Sequence, residues 1–240
     1  MSDPITHDYG TPNFDYIATW FEREDDGPFW ALNLMKYRER AVAADGTVEE
    51  RSGLEADNAY NPTPQIEAVG GRMVLVAPVE HQLRGDDTAW DRVAIVLYPT
   101  RMSFVEMGNR DDFKKQHEHK NAGMETTIVV ASMPRDDEPA PTDVSPSVGT
   151  GDRLLLQLVV DADAPDLADD IDSTRIGRFV VEGRIFGDDR EWAEARWDRI
   201  SAETAASLAA EDTVDDPNVY ALVLVPQADT LAESVVTPLP

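Results

Sequence analysis

Hydrophobic positions along this chain fall into short blocks of strand length, separated by turns rich in glycine, proline and acid. FWALNLMKY (Phe29–Tyr37) is apolar and led by aromatics, as a buried strand is. Alternation puts Asn33, Met35 and Tyr37 on one face and Trp30, Leu32, Leu34 and Lys36 on the other. Residues 54–69 predict a helix, broken or delayed by Pro62 and Pro64 and stopped by Gly70-Gly71. Arg72–Leu83 reads as a second strand, in which Pro78 predicts an edge position or a bulge. Asp91–Tyr98 is a third strand, ended by Pro99. Thr100 is placed to cap a helix running to about Lys115, with Phe104, Met107 and Phe113 as its buried stripe. Met124–Ser132 is the last strand of this set.

From Met133 to Asp152 no apolar period survives, and Pro134, Pro139, Pro141 and Pro146 predict a linker. A similar order then returns. Arg153–Asp161 is a strand, Pro165–Ile171 a short helix, and Arg175–Gly187 a long strand with Gly183 as a candidate bulge. Glu191–Ile200 suits a strand or a helix start, Ser201–Ala210 is helical, and Asn218–Pro226 closes the unit. The stretches GDDTAWDRVAIVLYPTRMSF and GDDREWAEARWDRISAETAA both run Gly-Asp-Asp, then Trp-Asp-Arg, then a helix, which suggests a repeated unit. The expected fold class is therefore α+β: two tandem ferredoxin-like βαββαβ units. The expected division is an extension over residues 1–28, a first unit over 29–133, a linker over 134–152 and a second unit over 153–240. Helices cover only one face of such a sheet. Strands as apolar as Val93–Leu97 ask for cover on both, so each unit needs another sheet against it.

Composition narrows the partners. The 240 residues carry a net charge of −26, which disfavours nucleic acid and anionic membrane surfaces. Arginine (17) far outnumbers lysine (4), and aspartate (29) outnumbers glutamate (18), a bias that either a GC-rich coding sequence or a saline host would produce. There is no cysteine, so disulfides, thiolate metal sites and thiol nucleophiles are absent. With no secretory signal and no apolar run of spanning length, the expected location is cytoplasmic.

ALNLMKY, the Gly70-Gly71 turn, AWDRVAIVLYPTRMSF and HEHKNAGME together resemble the dimeric α+β barrel superfamily. Within it they are most similar to an uncharacterised domain-of-unknown-function family related to antibiotic-biosynthesis monooxygenases. Asn33, Gly70, Gly71, Trp90, Tyr98, Pro99, His119 and Gly123 stand at matching places, with Thr100 for the usual serine and Lys120 for the usual arginine. The likeness spans about residues 29–132. It implies a barrel of two facing sheets with a pocket between sheet and helices, closed by a homodimer or by an intrachain pseudo-dimer. The superfamily includes cofactor-free monooxygenases, haem-degrading and peroxidase-like enzymes, isomerases and cyclases, so fold leaves function open.

Candidate chemistry centres on His117-Glu118-His119. An imidazole there suits general acid–base work or haem ligation, but on a helix the two rings point about 200° apart and cannot share one metal. A helix-end role for His119, beside Lys114, Lys115 and Lys120, is the structural alternative. His119, His117, Asn33 and Tyr37 are the catalytic candidates, with His119 as acid/base. Arg92, Tyr98, Trp30 and Met35 are the substrate-binding candidates, and Arg92 and Tyr98 are expected to line the lumen. Arg178, Glu182 and Arg184 alternate along one strand near Arg196, as an anion pocket or, more simply, a salt-bridge ladder at a seam. No phosphate loop, nucleophile elbow or zinc signature is present. The expectation is a small-molecule enzyme working without cofactor or metal, by proton transfer or cofactor-free oxidation on an apolar or aromatic oxygenated metabolite. The alternatives are a non-catalytic ligand-binding or assembly domain and a haem-binding protein. A closed apolar lumen with His119 facing solvent would count against the enzyme.

Overall fold

The computed structural model describes residues 9–24 and 26–239. Eight antiparallel strands form one closed barrel: β1 (Phe29–Tyr37), β2 (Arg72–Gly85), β3 (Arg92–Tyr98), β4 (Met124–Pro134), β5 (Arg153–Val159), β6 (Ser173–Gly187), β7 (Glu194–Ile200) and β8 (Val219–Leu224). Around the ring the order is β1-β3-β2-β8-β5-β7-β6-β4 and back to β1. In each half the fourth strand lies beside the first, then come the third and the second. The halves join at β2 with β8 and at β4 with β6. The mate that the open sheet requires is thus the other half of the same chain, and no barrel edge is left to pair elsewhere.

Inward side chains fill the barrel. Trp30, Leu32 and Leu34 from β1 meet Val93, Ile95 and Leu97 from β3, and Leu154, Leu156, Leu158, Trp197, Leu222 and Leu224 from the other half, all in one core. Eight strands enclose just enough space for such a packing, with each fully buried aliphatic contributing about 1.5–3 kcal/mol. Trp30 Nε1 is satisfied inside, donating to Ser234 Oγ at 2.8 Å. The lumen that Arg92 and Tyr98 were expected to line is therefore a solid core.

Among the described residues six α-helices lie outside the ring, α1 (Phe14–Thr19), α2 (Gly53–Ala59), α3 (Thr63–Ala68), α4 (Arg101–Asn109), α5 (Asp111–Gly123) and α6 (Ala202–Ala209), while α7 (Leu231–Val236) packs Leu231 and Ala232 into the barrel core. Helix breaks follow local chemistry. The segment read as one helix splits at Tyr60–Pro62 into α2 and α3, and α2 starts on a capping box between Ser52 and Glu55. Thr100 caps α4 as expected, accepting the Ser103 N–H at 3.0 Å, but Arg110 is extended (φ −68°, ψ 135°) and divides α4 from α5. In the second half the expected helix at Pro165–Ile171 is a single 3₁₀ turn, Leu167–Asp170.

Pro78 occupies neither an edge nor a bulge: the irregularities of β2 lie between Met73 and Leu75 against β3, and between Val79 and His81 and between Gln82 and Arg84 against β8. It sits on an internal strand where the β8 pairing ends at Val79 and a short pairing with Ala228–Asp229 begins at Val76. A missing N–H costs nothing in that gap, and the Pro78 carbonyl still accepts from Val225 at 2.9 Å. Gly183 does flank an irregularity: β4 shifts register against β6 between Ala131↔Gly183 and Ser132↔Val181. The proline-rich segment between β4 and β5 is held down where Ser147, fully buried, donates its N–H to Asp229 Oδ2 at 2.9 Å and receives Arg199 Nε at 2.9 Å.

Candidate functional site

The outer face of β1, β3 and β4 is the floor of a cavity of about 650 Å³, roofed by α2, α3, α4 and α5. Register brings the floor together: Ala31 faces Val96, Asn33 faces Ala94 and Met35 faces Arg92 across β1 and β3, while Thr127 and Val129 flank them on β4. The small side chains of Ala31 and Ala94 leave the space. Tyr98, Ile66, Phe104, Met107 and Phe113 make most of the wall apolar.

Close approach of two helices sets the roof. A Cβ on Gly123 would collide with the Gly53 carbonyl, and one on Gly53 would collide with the backbone of Arg38 and Gly123. Only glycine lets the start of α2 cross the end of α5 this tightly. Gly123→Ala is expected to cost about 1–3 kcal/mol, as overpacking does, read as a lower urea midpoint. An unchanged midpoint would show that the crossing has slack.

Polar groups gather at one end. Asp57 on α2 accepts the Tyr37 hydroxyl at 2.6 Å and Arg92 Nη1 at 2.9 Å, and Arg92 Nη2 reaches Asn58 Oδ1 at 2.8 Å. The guanidinium lies 5.5 Å from the Tyr37 ring centre. Helix α5 presents Phe113, Lys114, His117, Lys120 and Asn121 to the cavity, one stripe at helical spacing. Tyr9, preceding β1, donates to Asn121 Oδ1 at 2.6 Å and lies 3.0 Å from His117 Nε2. Its ring packs on Phe186 of β6 at 5.5 Å, so the second half supplies part of the wall. Burial pushes the Tyr9, Tyr37, Tyr60 and Tyr98 hydroxyls well above the ordinary phenol value, and they keep their protons.

Of the sequence-derived candidates, His117, Asn33, Arg92, Tyr98 and Met35 line this cavity. They line the outer chamber, not the lumen. Tyr37 stands one layer behind the wall with its hydroxyl committed to Asp57. Asn33 Nδ2 donates to Ala31 O of its own strand at 2.9 Å. Two candidates fall away. Trp30 projects into the barrel core because strand alternation sends it opposite to Asn33. His119 is outside the cavity lining because two residues along a helix turn it away from His117. His7 lies outside the described residues. Among the described residues no group of three or more histidines and acids could hold a metal ion, and no helix is long and apolar enough to cross a membrane.

Sequence reasoning passed over Asp57, Tyr60 and Tyr9 as site residues, and named Lys120 only as a helix-end cation. The spacing of Phe113, His117 and Lys120 was the available signal. Tyr9 had none, since it reaches the cavity only through the fold.

The corresponding outer face of the second half is filled. Asp166 accepts Arg175 Nη2 at 2.6 Å, Arg178 Nη2 at 3.0 Å and Gln157 Nε2 at 2.6 Å. Arg196 donates to Glu194 and to the carbonyls of Ala162 and Ala164, at 2.6, 2.7 and 2.9 Å respectively. Arg178 and Arg196 thus tie the 160–171 segment down. Arg101, almost wholly buried, binds Glu182 at 2.5 Å beside the Tyr16 hydroxyl and links α4 to β6. Of the alternating charges of β6, Glu182 lies at a seam between the halves, whereas Arg178 serves the second half alone.

No family model matches this chain, and no curated protein matches it. Solved structures do. RPA0582, a protein of unknown function from Rhodopseudomonas palustris, is 31% identical with a TM-score of 0.46, over 53% of this chain and 96% of that one. A candidate monooxygenase from Lactobacillus acidophilus is 12% identical (TM-score 0.39; 85% and 98% covered). A mutant chlorite dismutase from Candidatus Nitrospira defluvii is 9% identical (TM-score 0.42; 92% and 99% covered). The chain is similar to these proteins, and none of the likenesses assigns it an activity.

Proposed function

We propose that this chain is a small-molecule enzyme acting by proton transfer on an apolar, oxygenated metabolite bound between the outer sheet face and α2–α5. The observation that carries this reading is the cavity itself: a largely apolar chamber of about 650 Å³ into which His117, Lys120, Asn33 and Arg92 converge. Such a lining, apolar with few polar groups, is what small-ligand sites have. The packed lumen and the turn of His119 away from the cavity count against the site first expected, and the reading rests instead on the outer chamber, where His117 takes the acid–base role first given to His119. Tyr9 and Asn121 orient it, and Arg92, held by Asp57, supports negative charge developing on a ligand oxygen. The haem alternative asks for an imidazole open to iron, whereas His117 Nε2 already faces the Tyr9 hydroxyl at 3.0 Å. Closure of the barrel within one chain supports an intrachain pseudo-dimer of ferredoxin-like units over a homodimer.

The test uses aryl alkyl ketones in D₂O, following loss of the α-proton signal by NMR. The expected result is exchange above the buffer rate. His117→Gln should lower it about 10²-fold or more, the scale of a lost general base. Ala94→Trp, which fills the floor, should abolish both exchange and ligand-induced thermal stabilisation. Stabilisation without exchange would instead assign a binding domain. Neither effect with any probe would overturn the reading.

A further inference from the structure

We propose that Lys120 is a nucleophilic amine, and that the ligand of this cavity carries a ketone or aldehyde which Lys120 captures as an imine. This deepens the proton-transfer reading of the same site and rests on it.

The argument begins with what surrounds the amine. Lys120 is only 9% exposed and lines the cavity. Among the described residues its nitrogen has no hydrogen bond and no ion pair; its neighbour is the face of Tyr60, 5.9 Å from nitrogen to ring centre. The acid whose charge it feels, Asp57, is already held by Arg92 and by the Tyr37 hydroxyl. A buried ammonium without a counter-ion is costly, so burial weakens the hold on the proton. Burial accordingly pushes the amine below the ordinary lysine value, with Asp57 pulling weakly the other way. A desolvated lysine whose proton is held less tightly, facing an apolar chamber, is how amine nucleophiles are activated.

The chemistry balances with the groups present. The nitrogen lone pair attacks the carbonyl carbon, the C–N bond forms, and the oxygen takes up a proton. The carbinolamine then loses its hydroxyl as water while the C=N bond forms, so that amine and carbonyl give imine and water. His117, one helical turn before Lys120 and on the same stripe, is placed to pass these protons. The protonated imine withdraws electrons and acidifies the neighbouring C–H, which makes proton transfer at that carbon accessible. The substrate class is therefore an apolar carbonyl compound with an α-hydrogen.

The experiment treats the full chain with 3-phenylpropanal and sodium cyanoborohydride at pH 7, then maps the four lysines by peptide mass spectrometry. Thermal stabilisation by the aldehyde alone is measured in parallel. Reduction should fix a secondary amine on Lys120 at least tenfold more than on Lys36, Lys114 or Lys115. Ala94→Trp should suppress that modification while surface lysines react as before. Lys120→Met, which keeps the apolar stem and adds no charge, should still be stabilised by the probe and show no trapping at 120. Stabilisation without preferential trapping at Lys120 would overturn the imine and leave the small-molecule reading standing. Absence of both stabilisation and trapping would overturn the two together.

Discussion

Asp57→Ala is expected to remove about 3–5 kcal/mol of stability, the scale seen when one member of a buried ion pair is deleted. Asp57 is 6% exposed and Arg92 9%. The carboxylate is the only acid in contact with that guanidinium among the described residues, and it also takes the Tyr37 hydroxyl. Without it a cation is stranded against the sheet, and Asn58 alone cannot neutralise it. Urea unfolding should show the loss directly, with thermal unfolding about 6–20 °C earlier for a chain of this size. Arg92→Met offers the control. In that background Asp57→Ala should cost far less, because the stranded charge is gone. A loss below about 1 kcal/mol in the parent background would mean that water reaches Arg92 and that the polar wall is softer than its geometry implies.

Asp198→Asn is expected to do the opposite and stabilise the protein near neutral pH. Asp198 is fully buried on β7, and neither carboxylate oxygen receives a well-directed hydrogen bond. Arg175 Nε is 3.1 Å away, but the same guanidinium also serves Asp166 at 2.6 Å. Burial therefore dominates and pushes the carboxyl up to about 6 from an ordinary 3.8. Between those values the folded chain holds a proton that the unfolded chain releases. Stability consequently falls as pH rises from about 4 to 6 and stays lower above it, by roughly 2–3 kcal/mol. Asparagine removes the ionisation, so the variant should match the parent near pH 4 and exceed it at pH 7.5. Asp166, held down to about 2 by Arg175 and Gln157 despite its burial, acts below this window: its contribution is present above about 4 and is lost as pH falls through 2. A parent protein whose stability is flat or rising from pH 4 to 6 would contradict the assignment to Asp198.

The strands were legible because alternation is local. Phe29–Tyr37 appears in the structure with the boundaries its sequence implies, and its two faces divide as the period of two requires. Helix interruptions were less legible, since Arg110 carries no mark of a breaker. The internal echo was legible but out of register. Gly85 and Gly187 close β2 and β6 with φ of 148° and 138°, and the residues that correspond are Trp90 and Trp192, each 102 positions from its counterpart and both packed on Tyr220. Trp197, which the Trp-Asp-Arg match pointed to, shares the barrel core with both but lies 107 positions from Trp90, out of step with the glycines. The cavity was legible only as a place. Asn33, Arg92 and Tyr98 could be found because strands display them, whereas Asp57 and Tyr9 depend on helix docking and on the path of the N-terminal segment. No nearest-neighbour pattern encodes either.

A barrel that closes within one polypeptide escapes the equality that a two-fold axis imposes. In a symmetric pair, any change that opens a chamber opens it twice, and any change that plugs it plugs both. Here each outer surface answers to its own codons, so one has stayed hospitable while the other has been bricked up with arginine and aspartate. Under the proposed function the arithmetic consequence is a stoichiometry of one guest per chain, with the sealed side left to carry structure alone.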